Sequence, residues 1–108
     1  MATYITSTWS PSMMGTGGKA TVEELDDTQE IREAAANSVV YSISHPEMAA
    51  MFSELLNTDV PAGKLNVRLQ TGDTVYAIMP SFRITSNNKP RPKDLHSGYF
   101  RLFKIQIN

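Results

Sequence analysis

Residues Val39 to Leu56 read VVYSISHPEMAAMFSELL, and this stretch decides how the rest of the chain is organised. Its first part predicts a strand. Val39, Tyr41 and Ile43 alternate with Val40 and Ser42, and such β-branched and aromatic side chains suit a mostly buried strand. Pro46 marks a change. Proline fits the first position of a helix, where its missing N–H is not needed, and it drives the preceding residue out of helical conformation. His45 is therefore expected at the N-cap or one position from it. Ser44 and Glu47 have the spacing of a capping box, which would start the helix one residue earlier. Beyond them Met48, Met51, Phe52 and Leu55 fall at i, i+3, i+4 and i+7, an apolar stripe along one helix face. Either start leaves an imidazole beside unpaired N–H groups at the positive end of a helix. Such a corner can hold an anion and offer it a proton. A histidine that merely caps a helix fits the same pattern, so the residues alone leave both roles open.

The chain has 108 residues, enough for one domain around a single core. A formal net charge of −1 gives no global attraction to duplex DNA or to an anionic membrane, so any phosphate site must be local. The absence of cysteine excludes disulfides, thiolate catalysis and thiolate metal sites. Only His45 and His96 offer imidazole, at a spacing that matches no helical zinc motif, so neither a metal nor another cofactor is expected. No apolar run approaches the roughly 20 residues that a membrane helix needs. The first residues lack the charged-then-apolar pattern of a signal peptide. The expected setting is the cytoplasm.

Around the central stretch the chain divides as follows. Thr3 to Trp9 reads as a first strand, leading into Ser10-Pro11-Ser12-Met13-Met14 and the glycine-rich loop Gly15 to Gly18. The serine loop offers hydroxyls and N–H groups to a phosphate or a ribose, though Lys19 lacks the G-K-[ST] context of a phosphate loop. Thr21-Val22-Glu23-Glu24 has capping-box spacing and predicts a helix reaching Ala36, its acidic first turns forming a solvated face. Asn57 to Gly63 is a turn. Leu65, Val67 and Leu69 alternate with polar residues, and after Thr71-Gly72-Asp73 the apolar run Thr74 to Met79 completes an expected β-hairpin. Pro80 to Asp94 reads as a polar loop carrying Arg83 and a basic cluster, with a short helical turn near Lys93 to His96. Such a loop can close over an anion. Tyr99 to Ile107 is the last strand, with Phe103, Ile105 and Ile107 on one face and Phe100 and Leu102 on the other. The expected fold class is α/β (α+β): one small domain, residues 1–108, with a mixed sheet of about five strands covered by helices and completed by homodimerisation.

The order of motifs resembles the small viral anti-CRISPR ring nucleases. The resemblance rests on Ser7 to Met14 (STWSPSMM), Ile43 to Asn57 (ISHPEMAAMFSELLN) and Leu65 to Met79 (LNVRLQTGDTVYAIM), then Ser81-Phe82-Arg83-Ile84 and Ser97 to Ile105 (SGYFRLFKI). It implies a homodimer that holds cyclic tetra-adenylate across its two-fold axis and cleaves it without a metal. A ribose 2′-hydroxyl would attack its own phosphate and leave a linear product ending in a 2′,3′-cyclic phosphate. By this resemblance His45 protonates the leaving oxygen and Arg83 steadies the phosphate charge, a task suited to a planar donor fork. The resemblance likewise implies that Ser10 contacts the nucleotide, with Ser7, Pro11, Ser12 and Met13 in the same loop and Ser44, Pro46 and Glu47 beside the histidine as further ligand-binding residues. The chain departs from the family pattern at Ser44, where a glycine is usual, at Ser7 and Ser12, where asparagines are usual, and at Ser86, where a glutamate follows the arginine. Loss of that carboxylate keeps a second function open: a sponge that binds a cyclic nucleotide without cutting it. A third is a dimeric interaction or nucleic-acid-binding module with the same fold.

Overall fold

The computed structural model describes residues 2–63, 67–80 and 100–108. Its elements are β1 (Thr3–Thr6), β2 (Ala20–Leu25), α1 (Gln29–Ala35), β3 (Val40–Ser42), α2 (Pro46–Leu56), β4 (Thr74–Pro80) and β5 (Phe100–Ile107). The five strands form one mixed sheet in the order β2-β5-β4-β1-β3. β1 is parallel to both β3 and β4, whereas β5 is antiparallel to β4 and β2. The α+β class and the five-stranded sheet agree with the expectation, but the strands are not the expected five.

Ala20–Leu25 is a strand, not the start of a helix reaching Ala36. The capping-box spacing at Thr21 is overridden because β5 would otherwise leave one edge of its backbone unpaired. Val22 lies opposite Ile105 and Leu25 opposite Leu102, so the segment gains a ladder and apolar neighbours that a solvated helix would lack. The helix begins only at Gln29, whose N–H donates to Asp27 Oδ1 at 3.0 Å. The expected hairpin is likewise absent among the described residues. β4 has both edges occupied, by β1 and β5, and Leu69 bridges Met14 instead. β1 stops at Thr6, not Trp9, and β3 lies at the sheet edge with Val40 exposed, not mostly buried as expected. Ile43 extends that edge by exchanging two backbone bonds with Gly63, at 3.2 and 2.8 Å.

The alternation within β4 and β5 divides the interior. Tyr76, Ile78, Phe100 and Leu102 face the two helices, where Ile5, Ile31 and Phe52 are fully buried. Val75, Ala77, Ile105 and Ile107 face the other way and are covered by Trp9, Met13, Met14 and Leu69. Burying a side chain of this size contributes about 1.5–3 kcal/mol, so both layers matter. α2 presents Met48, Met51, Phe52 and Leu55 to the first layer, as the stripe predicted. It ends at Asn57 in left-handed conformation, φ 52°. Arg32 Nε donates to the Leu55 carbonyl at 2.9 Å, supplying a partner to the open end of α2 and tying α1 to it.

Two polar ties secure the sheet. Asp73 is buried, and its carboxylate accepts from the N–H groups of Ala2 and Gln70, both at 2.9 Å. Gly72, at φ 95°, donates to the Ile107 carbonyl at 2.8 Å. The start, the middle and the end of the chain thus meet at one turn. At the other site Glu30 Oε2 accepts from Tyr76 Oη at 2.7 Å and pairs with Lys104 Nζ at 2.8 Å. Lys104 and then Tyr76 hold the Glu30 carboxyl below its usual range, while burial, and then Glu30, push the Tyr76 phenol up.

Each tie has a measurable consequence. Asp73→Ala leaves the part-buried N–H groups of Ala2 and Gln70 without their acceptor and lowers stability by about 1–3 kcal/mol, read as a fall in urea midpoint at constant slope. For Glu30 the folded-state pKa is depressed, so its contribution is present above the unfolded value near 4.5 and disappears as pH falls through the folded one. The stability gap between the native chain and Glu30→Gln is therefore full near neutral pH and closes on acidification below about pH 4.5, in urea titrations across that range.

Candidate functional site

Topology places the expected site residues before any side chain is considered. β3, β1 and β4 run parallel, so their carboxyl ends lie at one edge of the sheet. Ligands of open sheets with parallel strands characteristically bind beyond that edge. Thr6, the last residue of β1, stands opposite Ser42 of β3 and Ala77 of β4. Ser7 leaves the edge from the middle strand, and Ile43-Ser44-His45 leave it from the neighbouring one. β4 ends at Pro80, three residues before Arg83 in sequence. Arg83 and Ser86, with the expected helical turn at Lys93 to His96, lie outside the described residues.

His45 is the N-cap of α2, with φ −111° and ψ 127°, and Pro46 follows at the first helical position. The alternative start at Ser44 is not adopted. The His45 carbonyl accepts from the Ala49 N–H at 3.0 Å, which closes the first turn. Its side chain makes no capping bond and is exposed, as are Ser44, Pro46 and Glu47. The imidazole therefore stands at the positive end of an eleven-residue helix without satisfying it. Such a group is free to exchange a proton with a ligand anion seated there.

The serine loop is built differently. Thr6 is 1% exposed, and its Oγ1 donates to the Thr8 carbonyl at 2.7 Å, which turns the chain out of β1. Pro11–Met13 then form a single 3-10 turn, with Ser10 and Ser12 joined through their hydroxyls at 2.6 Å. The Leu69 N–H donates to the Met13 carbonyl at 2.8 Å and fastens this turn to the segment before β4. Met13 packs in the layer away from α2. One protomer thus brings Ser7 and His45 to the same sheet edge, but carries Ser12 and Met13 onto the opposite face.

Two open hollows lie beside that turn, of about 480 and 280 Å³. Arg68, read in the sequence only as a surface arginine, lines the larger one. Nothing local marked it, because the hollow joins segments more than fifty residues apart. Glu24 pairs with Arg101, at 2.8 Å, on the exposed side of β2, and this bond holds the Glu24 carboxyl low. Among the described residues no three histidines, aspartates or glutamates gather in a way that could hold a metal ion. No helix there is long and apolar enough to cross a membrane.

A small α+β domain with one layer of helices, and with polar loops at the carboxyl edge of three parallel strands, is the class these observations define. The chain belongs to the STIV B116-like family, which it matches over residues 3–104. Its fold is similar to that of B116 of Sulfolobus turreted icosahedral virus. The TM-score is 0.81 at 18% identity, over 98% of this chain and 99% of that one. No curated protein matches the chain.

If His45 were retained as a cap, a better cap should bring little. The unmade bond says otherwise. His45→Asp supplies an acceptor for the first free N–H groups and a charge that suits the dipole, and should stabilise the fold by about 0.5–1 kcal/mol in thermal or urea melts.

Proposed function

We propose that the protein is a metal-independent ring nuclease that opens a cyclic oligoadenylate, cyclic tetra-adenylate in the first instance, and so counters or resets type III CRISPR signalling. The observation that carries this reading is the exposed His45 imidazole at the start of α2, where it makes no capping bond. Membership of a family that takes its name from a viral protein supports it, as do the motifs that resemble the anti-CRISPR ring nucleases. On this reading the protein acts in the cytoplasm of a virus-infected or CRISPR-bearing cell.

The reaction balances without a further reagent. A ribose 2′-oxygen forms a bond to its own phosphorus, and the bond from phosphorus to the 5′-oxygen breaks. His45 gives its proton to that departing oxygen, which leaves as a 5′-hydroxyl. The hydroxyl proton of the attacking ribose passes to solvent. Arg83 neutralises charge on the phosphate, and Ser7, Ser10 and Ser12 position the ribose and phosphate. Because the serine turn and His45 are on different faces of one protomer, a homodimer completes the pocket, each copy contributing one imidazole. A second reading, a sponge that holds the ring intact, is favoured by Ser86 in place of a glutamate.

Incubation with a panel of cyclic oligonucleotides in chelator, followed by chromatography, separates these readings. The nuclease gives linear products ending in a 2′,3′-cyclic phosphate, and His45→Ala slows their formation by roughly 10²–10⁴-fold. Tight binding with intact ring recovered after denaturation identifies the sponge. Failure to bind any member of the panel removes both.

A further inference from the structure

The sheet has two edges, and among the described residues they differ. β3 is three residues long, and Gly63 occupies its outer side through the paired bonds with Ile43. β2, at the other edge, is six residues long, and no described strand lies beyond it. The register shows which of its backbone groups are left over. In an antiparallel pair, opposed residues alternate between those that exchange both backbone bonds and those that exchange none. The Asn108 N–H donates to the Lys19 carbonyl at 2.8 Å, which sets the phase. Ile107 uses its backbone on the far side of β5. Its N–H donates to the Asp73 carbonyl at 3.0 Å, and its carbonyl accepts from the Gly72 N–H at 2.8 Å. The bonded positions of β2 are therefore Thr21, Glu23 and Leu25, opposite Gln106, Lys104 and Leu102. Ala20, Val22 and Glu24 turn their N–H and C=O groups outward.

Sheets commonly blunt such an edge with proline, lysine, a bulge or a very short strand. The β2 sequence ATVEEL holds neither proline nor lysine, and it pairs with β5 without interruption. Its charge has the opposite sign. Glu23, Glu24, Asp26 and Asp27 are all exposed, and residues 20–27 contain no cation. On β5, Arg101 is engaged by Glu24 and Lys104 by Glu30. Glu23, Asp26 and Asp27 make no ion pair among the described residues. Val22 stands on the other face of the strand from Glu23 and is 52% exposed. Two β2 strands laid side by side would bring these carboxylates together, and like charges across a ladder are destabilising. A basic extended segment meets no such penalty and answers both the charge and the open backbone.

We infer that β2 takes up an extended segment of a partner protein as an additional strand. That segment carries lysine or arginine against Glu23 and Glu24 and an apolar side chain against Val22. Main-chain bonds to Ala20, Val22 and Glu24 give the affinity, and the side chains give the selectivity. β5 and β4 separate this edge from β1, so it uses neither His45 nor the serine turn. It stands whether or not the protein cleaves rings.

The probe is a fluorescein-labelled hexapeptide, Thr-Lys-Lys-Val-Thr-Val, titrated against the intact protein by fluorescence polarisation. In antiparallel register it sets its lysines against Glu24 and Glu23 and its first valine against Val22. Saturable binding is expected, and it should weaken as salt rises. The same peptide with glutamate in place of each lysine should bind less tightly, by roughly two- to fivefold per charge. Glu23→Lys should lower the affinity for the lysine peptide and raise it for the glutamate peptide. Val22→Pro removes an outward N–H and no bond to β5, so the variant should keep a cooperative urea melt and lose about tenfold in affinity. Methylating the nitrogen of the peptide's first valine tests the same ladder with the unaltered protein and should cost as much. The assignment is overturned by absence of saturable binding at millimolar peptide, by equal affinity for the two peptides, or by indifference to the methylated valine. It is also overturned if Val22→Pro dissociates a homodimer in sedimentation, since the edge then belongs to a second copy.

Discussion

β4 is hydrogen-bonded on both sides, and its partners are the first and last strands of the chain. The rest of the structure follows from that constraint. A backbone buried in the middle of a sheet must find donors and acceptors on each side, and segments adjacent in sequence do not supply them here. The sheet is complete only when residues near 5, 76 and 104 have met. Such distant pairings slow folding, since loop closure must precede the contacts that reward it. Asp73 sits at the turn where these three parts converge, which explains why a carboxylate is buried there with two backbone donors.

The same arrangement gives the sheet two unequal covers. The helices protect one face with a dense apolar layer. The other is protected by a 3-10 turn and the strand-like residues before β4, which are joined by one backbone bond and a few methionine and tryptophan contacts. Short loop segments cannot seal a sheet as a helix does, and the open hollows occur on that side. The polar edge and the loop-covered face are therefore consequences of one topology. The first collects the ends of parallel strands, and the second is what remains when both helices pack on the same side.

The strand-to-helix corner was legible in the sequence because its signals are local. Pro46, the residue before it and the stripe from Met48 to Leu55 act within a few positions of one another, and His45 is the N-cap that they imply. The faces of β5 were legible for the same reason, since alternation needs no partner to be seen. Ala20–Leu25 was misread because a capping box and an edge strand can share the same six residues, and only β5 chooses between them. The residues before β4 show strand alternation, yet both sides of β4 are taken by others. In the candidate site, His45 and the serine loop were visible as residue types at a turn. That Ser7 shares an edge with His45, while Met13 turns to the opposite face, was not.

By itself the sequence determined the mixed α+β class, the position of α2 with its histidine at the start, and the sidedness of the last strand. Those features depend on periodicity and on the backbone chemistry of proline, which act over one or two turns. Only the tertiary structure decided which strands are neighbours, that β3 is an edge, and that Arg68 meets the turn after β1 across one hollow. These are outcomes of competition between segments for the same hydrogen-bonding edges, and the winner depends on partners as far apart as the two ends of the chain.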